Sequence, residues 1–187
     1  MTDDEQGWIE RSLQGDHEAF EALVRRYQRM IYSLAYRMTG SAADAEDMTQ
    51  ETFIRAHQQL SSFRAEAKFS SWLYRIAVNH CLNWRQWEIR RGQIHTQWAE
   101  SKVALQSDAA STSDNDELGS TVQAALMKLP VKQRAALVLT TYDGLSHAEA
   151  ARALGCSETT VSWRIFASRG KLRRLLKDAR TGGEPYE

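Results

Sequence analysis

The stretch SHAEAARALGCSETTVSWRIF, residues 146–166, contains the strongest structural signal in this chain. Ser146 occupies the first position of a capping box, in which a helix starts with Ser or Thr and carries Glu three residues later. Gly155 supplies the permissive backbone that a tight turn needs, and Ser157 can cap a second helix directly after it. This order of cap, helix, turn and helix predicts a helix-turn-helix over 147–166.

The second helix of this motif has an apolar side for packing and a polar, aromatic side that is expected to be exposed. The exposed side carries Thr159, Ser162, Trp163, Phe166 and Arg173. Basic residues can neutralise DNA phosphates, while other side chains read base edges or thymine methyl groups. The basic residues are Arg164, Arg169, Lys171, Arg173 and Arg174. The helix therefore predicts a DNA reader, although the same residues would also suit a basic helix that faces only solvent.

Helical periodicity also dominates the N-terminal half of the chain. One amphipathic helix is predicted between a cap at Asp16 and a stop at Gly40. A second helix begins after a cap at Ser41. A third helix is predicted to run from about Ser70 to about Arg91.

A polar and acidic segment without periodicity separates these helices from the C-terminal ones and is expected to be a linker. After it, apolar residues recur at helical spacing from Leu118 to Leu129, before Pro130. A further helix runs through Tyr142 and precedes the helix-turn-helix. The sequence therefore predicts helices on both sides of one linker.

The second helix carries an acidic face with an apolar residue in it. Five side chains share this face at 100° per residue, namely Asp44, Asp47, Gln50, Glu51 and Ile54. Like charges at this spacing repel slightly, so a face that binds another protein fits the residues as well as a face that is only solvated.

The third helix has one apolar side and, within a separate narrow arc, a row of residues suited to nucleic acid. The row consists of Trp72, Arg75, Asn79, Asn83, Gln86 and Arg90. Arginines can neutralise phosphates, amides can pair with base edges, and an aromatic ring can stack on an unpaired base. An ordinary polar helix face rarely combines all three, so the row indicates contact with nucleic acid.

Composition limits the function classes that remain. With 42% hydrophobic and 26% charged residues, the chain is too apolar to be disordered, and its two prolines favour helices over a β-rich fold. The net charge is zero, but the segments 1–63, 64–95, 96–129 and 130–187 carry −5, +4, −3 and +4. This alternation suits a protein that touches nucleic acid at two places, although random scatter can also produce it.

The cysteines and histidines do not form a recognisable site. Cys81 and Cys156 lack partners at metal-binding spacing and are expected to be reduced thiols. His80 beside Cys81 could suggest a metal or redox site, but the apolar side of the third helix accounts for both. The sequence therefore predicts no metal, no cofactor and no enzyme. The acidic N-terminus and the lack of a long apolar run predict a cytoplasmic protein without membrane contact.

Two stretches of the N-terminal half, DAEDMTQETFI at 44–54 and FSSWLYRIAVN at 69–79, closely resemble the extracytoplasmic function (ECF) group of the sigma-70 family of RNA polymerase sigma factors. The helix-turn-helix resembles the second domain of the same family, and the resemblance covers nearly the whole chain. It implies an all-α fold of two small helical domains joined by a flexible linker. The implied parts are a region 2 domain at 1–95, a linker at 96–117, a region 4 domain at 118–180 and a tail at 181–187.

The resemblance also implies partners for each surface. The acidic face would dock on the clamp coiled coil in the largest subunit of core RNA polymerase, and the C-terminal domain would meet the polymerase flap. The row on the third helix would bind the melted minus-ten element of a promoter, with Asn79 and Asn83 near a flipped base. Loop residues would join this site, namely Phe63, Arg64 and Phe69.

The C-terminal domain would, by the same resemblance, read the double-stranded minus-thirty-five element. The positions implied to contact DNA are Ser157, Ser162, Trp163, Phe166 and Ala167. Members of the family often carry arginine at the position of Ser162 and a small polar residue at that of Trp163, so this chain departs from the pattern and lacks a bidentate guanine contact there. An anti-sigma factor is the regulatory partner that the resemblance implies.

A stand-alone helix-turn-helix repressor is the rival function. In such a protein, residues 1–95 would serve dimerisation or effector binding. The row of aromatic and amide side chains on the third helix argues against this alternative.

Overall fold

The computed structural model describes residues 3–65, 67–96 and 114–181, with side chains in 4–65, 67–84 and 119–179. Every regular element in these ranges is helical, which confirms the all-α prediction. The helices are α1 (Asp3–Leu13), α2 (His17–Thr39), α3 (Ala42–Gln59), α4 (Phe69–Thr96), α5 (Asp114–Met127), α6 (Val131–Leu137), α7 (His147–Leu154) and α8 (Glu158–Thr181), with a 3₁₀ turn at Leu60–Ser62 and a π-helical turn at Val138–Tyr142.

The predicted linker and tail fall mostly outside the described residues. Residues 97–113 of the linker and 182–187 of the tail lie outside the described residues, whereas residues 114–117 of the linker form the first turn of α5. Within the described ranges, no helix combines the length and the apolar character needed to cross a membrane.

The ends of α2 and the start of α3 lie where their capping residues predict. Asp16 accepts a hydrogen bond from a first-turn amide of α2 at 3.1 Å. Gly40 ends that helix with a φ of 80°, and its N–H donates to the carbonyl of Tyr36 at 2.8 Å. The Ser41 hydroxyl then accepts a hydrogen bond from the amide of Asp44 at 3.3 Å. All three helix boundaries are therefore confirmed.

Helix α1, which no sequence pattern predicts, packs along α2. Its residue Ile9 is buried, and so is the carboxylate of Glu5. The Tyr27 hydroxyl donates a hydrogen bond to that carboxylate at 2.6 Å, and the Arg26 guanidinium lies 3.6 Å from it. Burial, followed by the bond to Glu5, raises the pKa of Tyr27 to about 12. Because the buried side of α1 contains an acid, its residues do not form an apolar pattern in the sequence, and apolar periodicity does not predict this helix.

The N-terminal core lies between α2, α3 and α4. Its fully buried residues include Leu23, Ile31 and Leu34 from α2 and Leu73 from α4, and Phe53 from α3 packs beside them. We call α1–α4 the N-terminal unit and α5–α8 the C-terminal unit. The core of the N-terminal unit holds α3 and α4 side by side, so that each keeps one outer face for partners.

Helix α4 begins one residue before its predicted start and continues to Thr96. On the apolar side of α4, Leu73, Ala77 and Cys81 are buried, and Tyr74 and Val78 are buried as well. Helix α7 of the C-terminal unit packs on α4, so α4 is covered by more than the N-terminal core.

The helix-turn-helix prediction is confirmed by α7 and α8. Ser146 and Glu149 make both bonds of a capping box, since the Glu149 amide donates to the Ser146 hydroxyl at 3.2 Å and the Ser146 amide donates to the Glu149 carboxylate at 2.9 Å. Gly155 ends α7 with a φ of 58°, a left-handed conformation that favours glycine. The Ser157 hydroxyl accepts from the amide of Thr160 at 3.2 Å and so caps α8.

Arg134 of α6 joins the two units. Its side chain is only 1% exposed, and its guanidinium donates a hydrogen bond to the carbonyl of Met38 at the end of α2. The same group donates to the carbonyls of Met127 and Leu129 in its own unit, at 3.0 and 3.3 Å. One buried arginine therefore closes the loop before α6 and binds the neighbouring unit.

Two further contacts reach the same end of α2. The Gln123 side-chain amide donates to the carbonyl of Tyr36 at 3.0 Å. The Arg37 guanidinium lies 4.6 Å from the ring centroid of Tyr142, whose backbone is in the π-helical turn rather than in the α-helix that the sequence predicts. We call these contacts, together with that of Arg134 and the packing of α4 on α7, the inter-unit interface.

Candidate nucleic-acid interface

An aromatic cluster stands at the start of α4. The rings of Phe63, Phe69 and Trp72 lie with centroids 5.3 to 5.5 Å apart. Phe63 and Trp72 are half-buried, so each keeps part of its ring at the surface. Rings at such a surface can stack on unpaired bases.

Phe69 does not lie at this surface, and its contact with DNA stays a prediction. Its side chain is 1% exposed, and its ring packs on Tyr27 of α2 at 5.5 Å as well as on its two cluster partners. Phe69 therefore supports Phe63 and Trp72 from beneath. In the sequence it carries the same aromatic signal as they do, and only packing distinguishes them.

The loop between the cluster residues is exposed at Arg64, as a DNA-contacting loop requires. Ala65 next to it has a φ of 54°, the left-handed region that a non-glycine residue rarely adopts. Such a conformation persists only where the surrounding structure imposes it, and it commonly occurs at binding sites.

The outer face of α4 presents Arg75, Asn79 and Asn83 to solvent, directly beyond Trp72. Four residues of the predicted row are thus brought together on one helix face beside the aromatic cluster. The remaining two, Gln86 and Arg90, follow in the α4 backbone, but their side chains lie outside the described residues.

The outer face of α3 has an apolar centre and a mainly acidic rim. Ile54 is 52% exposed, and Asp47 and Gln50 are exposed near it, while Asp44 is half-buried in the first turn. The Glu51 carboxylate accepts a hydrogen bond from the Arg55 guanidinium at 2.8 Å, in an exposed ion pair that contributes little stability. The pair partly neutralises the acidic charge of this face.

The exposed face of α8 is dominated by two aromatic side chains. Trp163 is 62% exposed and Phe166 is 80% exposed. Thr159 and Ser162 are exposed beside them, whereas Ala167 is half-buried. A large apolar surface in water is characteristic of a binding site.

Two of the predicted DNA contacts in α8 already have partners within the protein. The Ser162 hydroxyl donates to the Glu158 carbonyl and also lies 3.0 Å from His147 Nδ1, while the Arg164 guanidinium lies 3.4 Å from Cys156 Sγ and is partly buried. Arg169 and Arg173 are exposed. The exposed cations therefore lie one to two turns beyond the aromatic pair.

Comparison with known proteins decides the family of the chain. The family model described as sigma-70 region 2 matches residues 23–91, and the one described as sigma-70 region 4 matches 120–172. The ECF RNA polymerase sigma factor SigM of Mycobacterium tuberculosis is 40% identical over 90% of this chain and 82% of its own length. The chain belongs to the ECF RNA polymerase sigma factors.

Two further relatives agree with this assignment. The ECF RNA polymerase sigma factor SigW of Bacillus subtilis is 36% identical over 91% of this chain and 95% of its own length. The sigma factor RpoE of Bartonella quintana, solved in complex with the anti-sigma factor NepR, superposes with a TM-score of 0.68 at 25% identity, over 84% of this chain and 96% of that one.

The matches assign names to the helices of this sigma factor. The region 2 match runs from within α2 into α4, and the region 4 match runs from within α5 into α8.

Among the described residues, no group of three or more histidines, cysteines and acids is placed to hold a metal ion. Burial raises the pKa of the Cys81 thiol to about 12, so this side chain is an unreactive part of the core.

The sequence patterns do not predict the positions of two residues near these surfaces. His147, the first residue of α7, borders a cleft of about 320 Å³ beside α8, where it meets Ser162. Asp143 lies against the region 2 helices, and burial raises the pKa of its carboxyl to about 7, although the charge of Arg37 lowers it. The sequence around Asp143 does not indicate that its carboxyl is buried, because the residues that bury it belong to a distant part of the chain.

Proposed function

We propose that this sigma factor brings core RNA polymerase to promoters and opens the minus-ten element with the outer face of α4. The observation that carries the proposal is the continuous surface of Trp72, Arg75, Asn79 and Asn83 beside the ring of Phe63. It unites stacking, charge and amide groups, the three capacities that binding of an unpaired strand requires.

The arrangement suggests how a base would be captured. A flipped base needs a shaped pocket that stacks on its ring and reads its edge. The half-buried rings of Phe63 and Trp72 can provide the stacking surface, and the Asn79 amide can donate to and accept from a base edge. Gln86 and Arg90 would extend the contact along the strand.

The outer face of α3 is the proposed polymerase contact. Ile54 supplies an apolar centre, and the exposed Asp47 and Gln50 form a polar rim, an arrangement typical of protein interfaces. Family resemblance supports the clamp coiled coil of the largest subunit as the partner of this face and the flap as the partner of region 4. We assign residues 1–95 to the region 2 domain, 96–117 to the linker, 118–180 to the region 4 domain and 181–187 to the tail.

Regulation by an anti-sigma factor is part of the same proposal. Support comes from the relative RpoE, which is solved bound to the anti-sigma factor NepR. The proposed sites of action are the polymerase and the promoter, in the cytoplasm.

Reconstituted transcription tests the proposal. Purified core polymerase should initiate at specific promoters only when this protein is added. Tight operator binding without polymerase would instead favour a stand-alone repressor.

The variant Asn79→Ala should slow promoter opening at least tenfold, while duplex binding through region 4 stays within twofold of the wild type. The matched control is Gln28→Ala, an exposed amide on α2 outside every proposed surface. Equal losses of opening and of duplex binding in Asn79→Ala would contradict the assignment of the α4 face.

A further inference from the structure

The aromatic pair on α8 indicates what kind of promoter sequence region 4 reads. In the major groove, the thymine methyl is the apolar group that a base edge offers, whereas guanine offers two acceptors that suit a bidentate arginine. Trp163 and Phe166 are highly exposed on the face of α8 that is proposed to enter the groove. Their rings would gain contact free energy against methyl groups and not against guanine acceptors.

The polar groups nearby do not supply a guanine contact. The Ser162 hydroxyl is held by the Glu158 carbonyl and His147, and the Arg164 guanidinium turns back toward Cys156. The exposed cations begin at Arg169, at least three residues beyond the aromatic pair. Their spacing suits phosphate contacts on either side of the groove.

We propose that region 4 of this sigma factor selects its duplex element through thymine methyl groups that contact Trp163 and Phe166, and not through a bidentate guanine contact. The proposal rests on the proposed function, in which α8 enters the major groove of the minus-thirty-five element.

Thymine-to-uracil replacement tests the proposal, because it removes one methyl group and keeps base pairing. The preferred minus-thirty-five sequence is first selected from a randomised duplex with the reconstituted holoenzyme. Each thymine of that element is then replaced by deoxyuridine, while the minus-ten element stays unmodified. Loss of a contacted methyl should weaken holoenzyme binding about fourfold.

Variants assign the effect to the aromatic pair. Trp163→Ala should bind more weakly and lose its sensitivity to one uracil position. Arg173→Ala should bind more weakly at all sequences but keep full sensitivity to uracil. The inference is overturned if initiation is promoter-specific while every uracil substitution changes binding less than 1.5-fold, or if Trp163→Ala stays sensitive to every uracil position. Absence of promoter-specific initiation would instead reject the proposed function.

Discussion

Replacing Asp143 by asparagine should abolish a pH-dependent weakness of the inter-unit interface. The Asp143 carboxyl lies close enough to Arg37 of α2 and Tyr74 of α4 for their charges to interact, and its Oδ2 is buried without a hydrogen-bond partner. Burial raises its pKa from 3.8 to about 7, although Arg37 opposes this shift. Burial, followed by the Asp143 charge, also raises the pKa of Tyr74. Asparagine has nearly the same shape and no charge.

Linkage between proton binding and folding gives the sign and the size of the effect of Asp143 on the free energy of unfolding. Because the packed protein binds this proton more tightly than the unfolded chain does, the contribution of Asp143 to stability is greatest below about pH 4, falls between about pH 4 and 7, and stays reduced above that. A shift of about three pKa units corresponds to about 4 kcal/mol at most. Asp143→Asn should therefore match the wild type near pH 4 and exceed it by about 2–4 kcal/mol at pH 8.

Denaturant unfolding from pH 4 to pH 8 measures this difference. Far-UV circular dichroism follows the helices, and fluorescence follows the tryptophans. Glu46→Gln, which replaces an exposed carboxyl on α3, is the matched control and should leave the pH profile unchanged. The reasoning would be refuted if the variant and the wild type had the same free energy of unfolding at pH 8, or if they differed equally at both ends of the range.

Three further predictions concern stability and reactivity. Ser146→Ala removes the hydroxyl that accepts from the amide of Glu149 and should lower the free energy of unfolding by about 1 kcal/mol, measured by denaturant titration. Leu73→Ala leaves a cavity at a fully buried position of α4 and should cost about 2–5 kcal/mol; a cost below about 1 kcal/mol would contradict the core assignment. Cys156 should react with a thiol reagent in the native protein, whereas Cys81, buried and with a raised pKa, should react only on unfolding; mass spectrometry of the labelled peptides distinguishes the two.

The helix boundaries could be predicted because their causes are local. The side chain of Asp16 reaches an amide within one turn, and Ser146 does the same with Glu149. Gly40 and Gly155 adopt positive φ values that their own lack of a Cβ permits. Each of these signals spans only a few residues, so the linear sequence contains it in full.

The outer faces of α3, α4 and α8 could also be predicted, because helical periodicity separates them from the core sides. Arg75, Asn79 and Trp163 are exposed as the pattern requires. The burial of Phe69 could not be predicted, because its ring lies beneath Phe63 and Trp72. An aromatic residue can serve a core or a surface, and the sequence does not contain the contact with Tyr27 that decides between them.

The sequence by itself determined the helical class, the helix-turn-helix and the faces suited to nucleic acid and to a protein partner, since these depend on spacing and caps within single elements. Only the tertiary structure revealed α1, the second buried side of α4, the buried Arg134 and the unusual environment of Asp143. These features arise where separate segments meet, whether Tyr27 binds Glu5 at 22 positions' separation or Arg134 reaches Met38 at 96. Burial of that kind depends on which helices pack together, and periodicity within one helix carries no information about its partner.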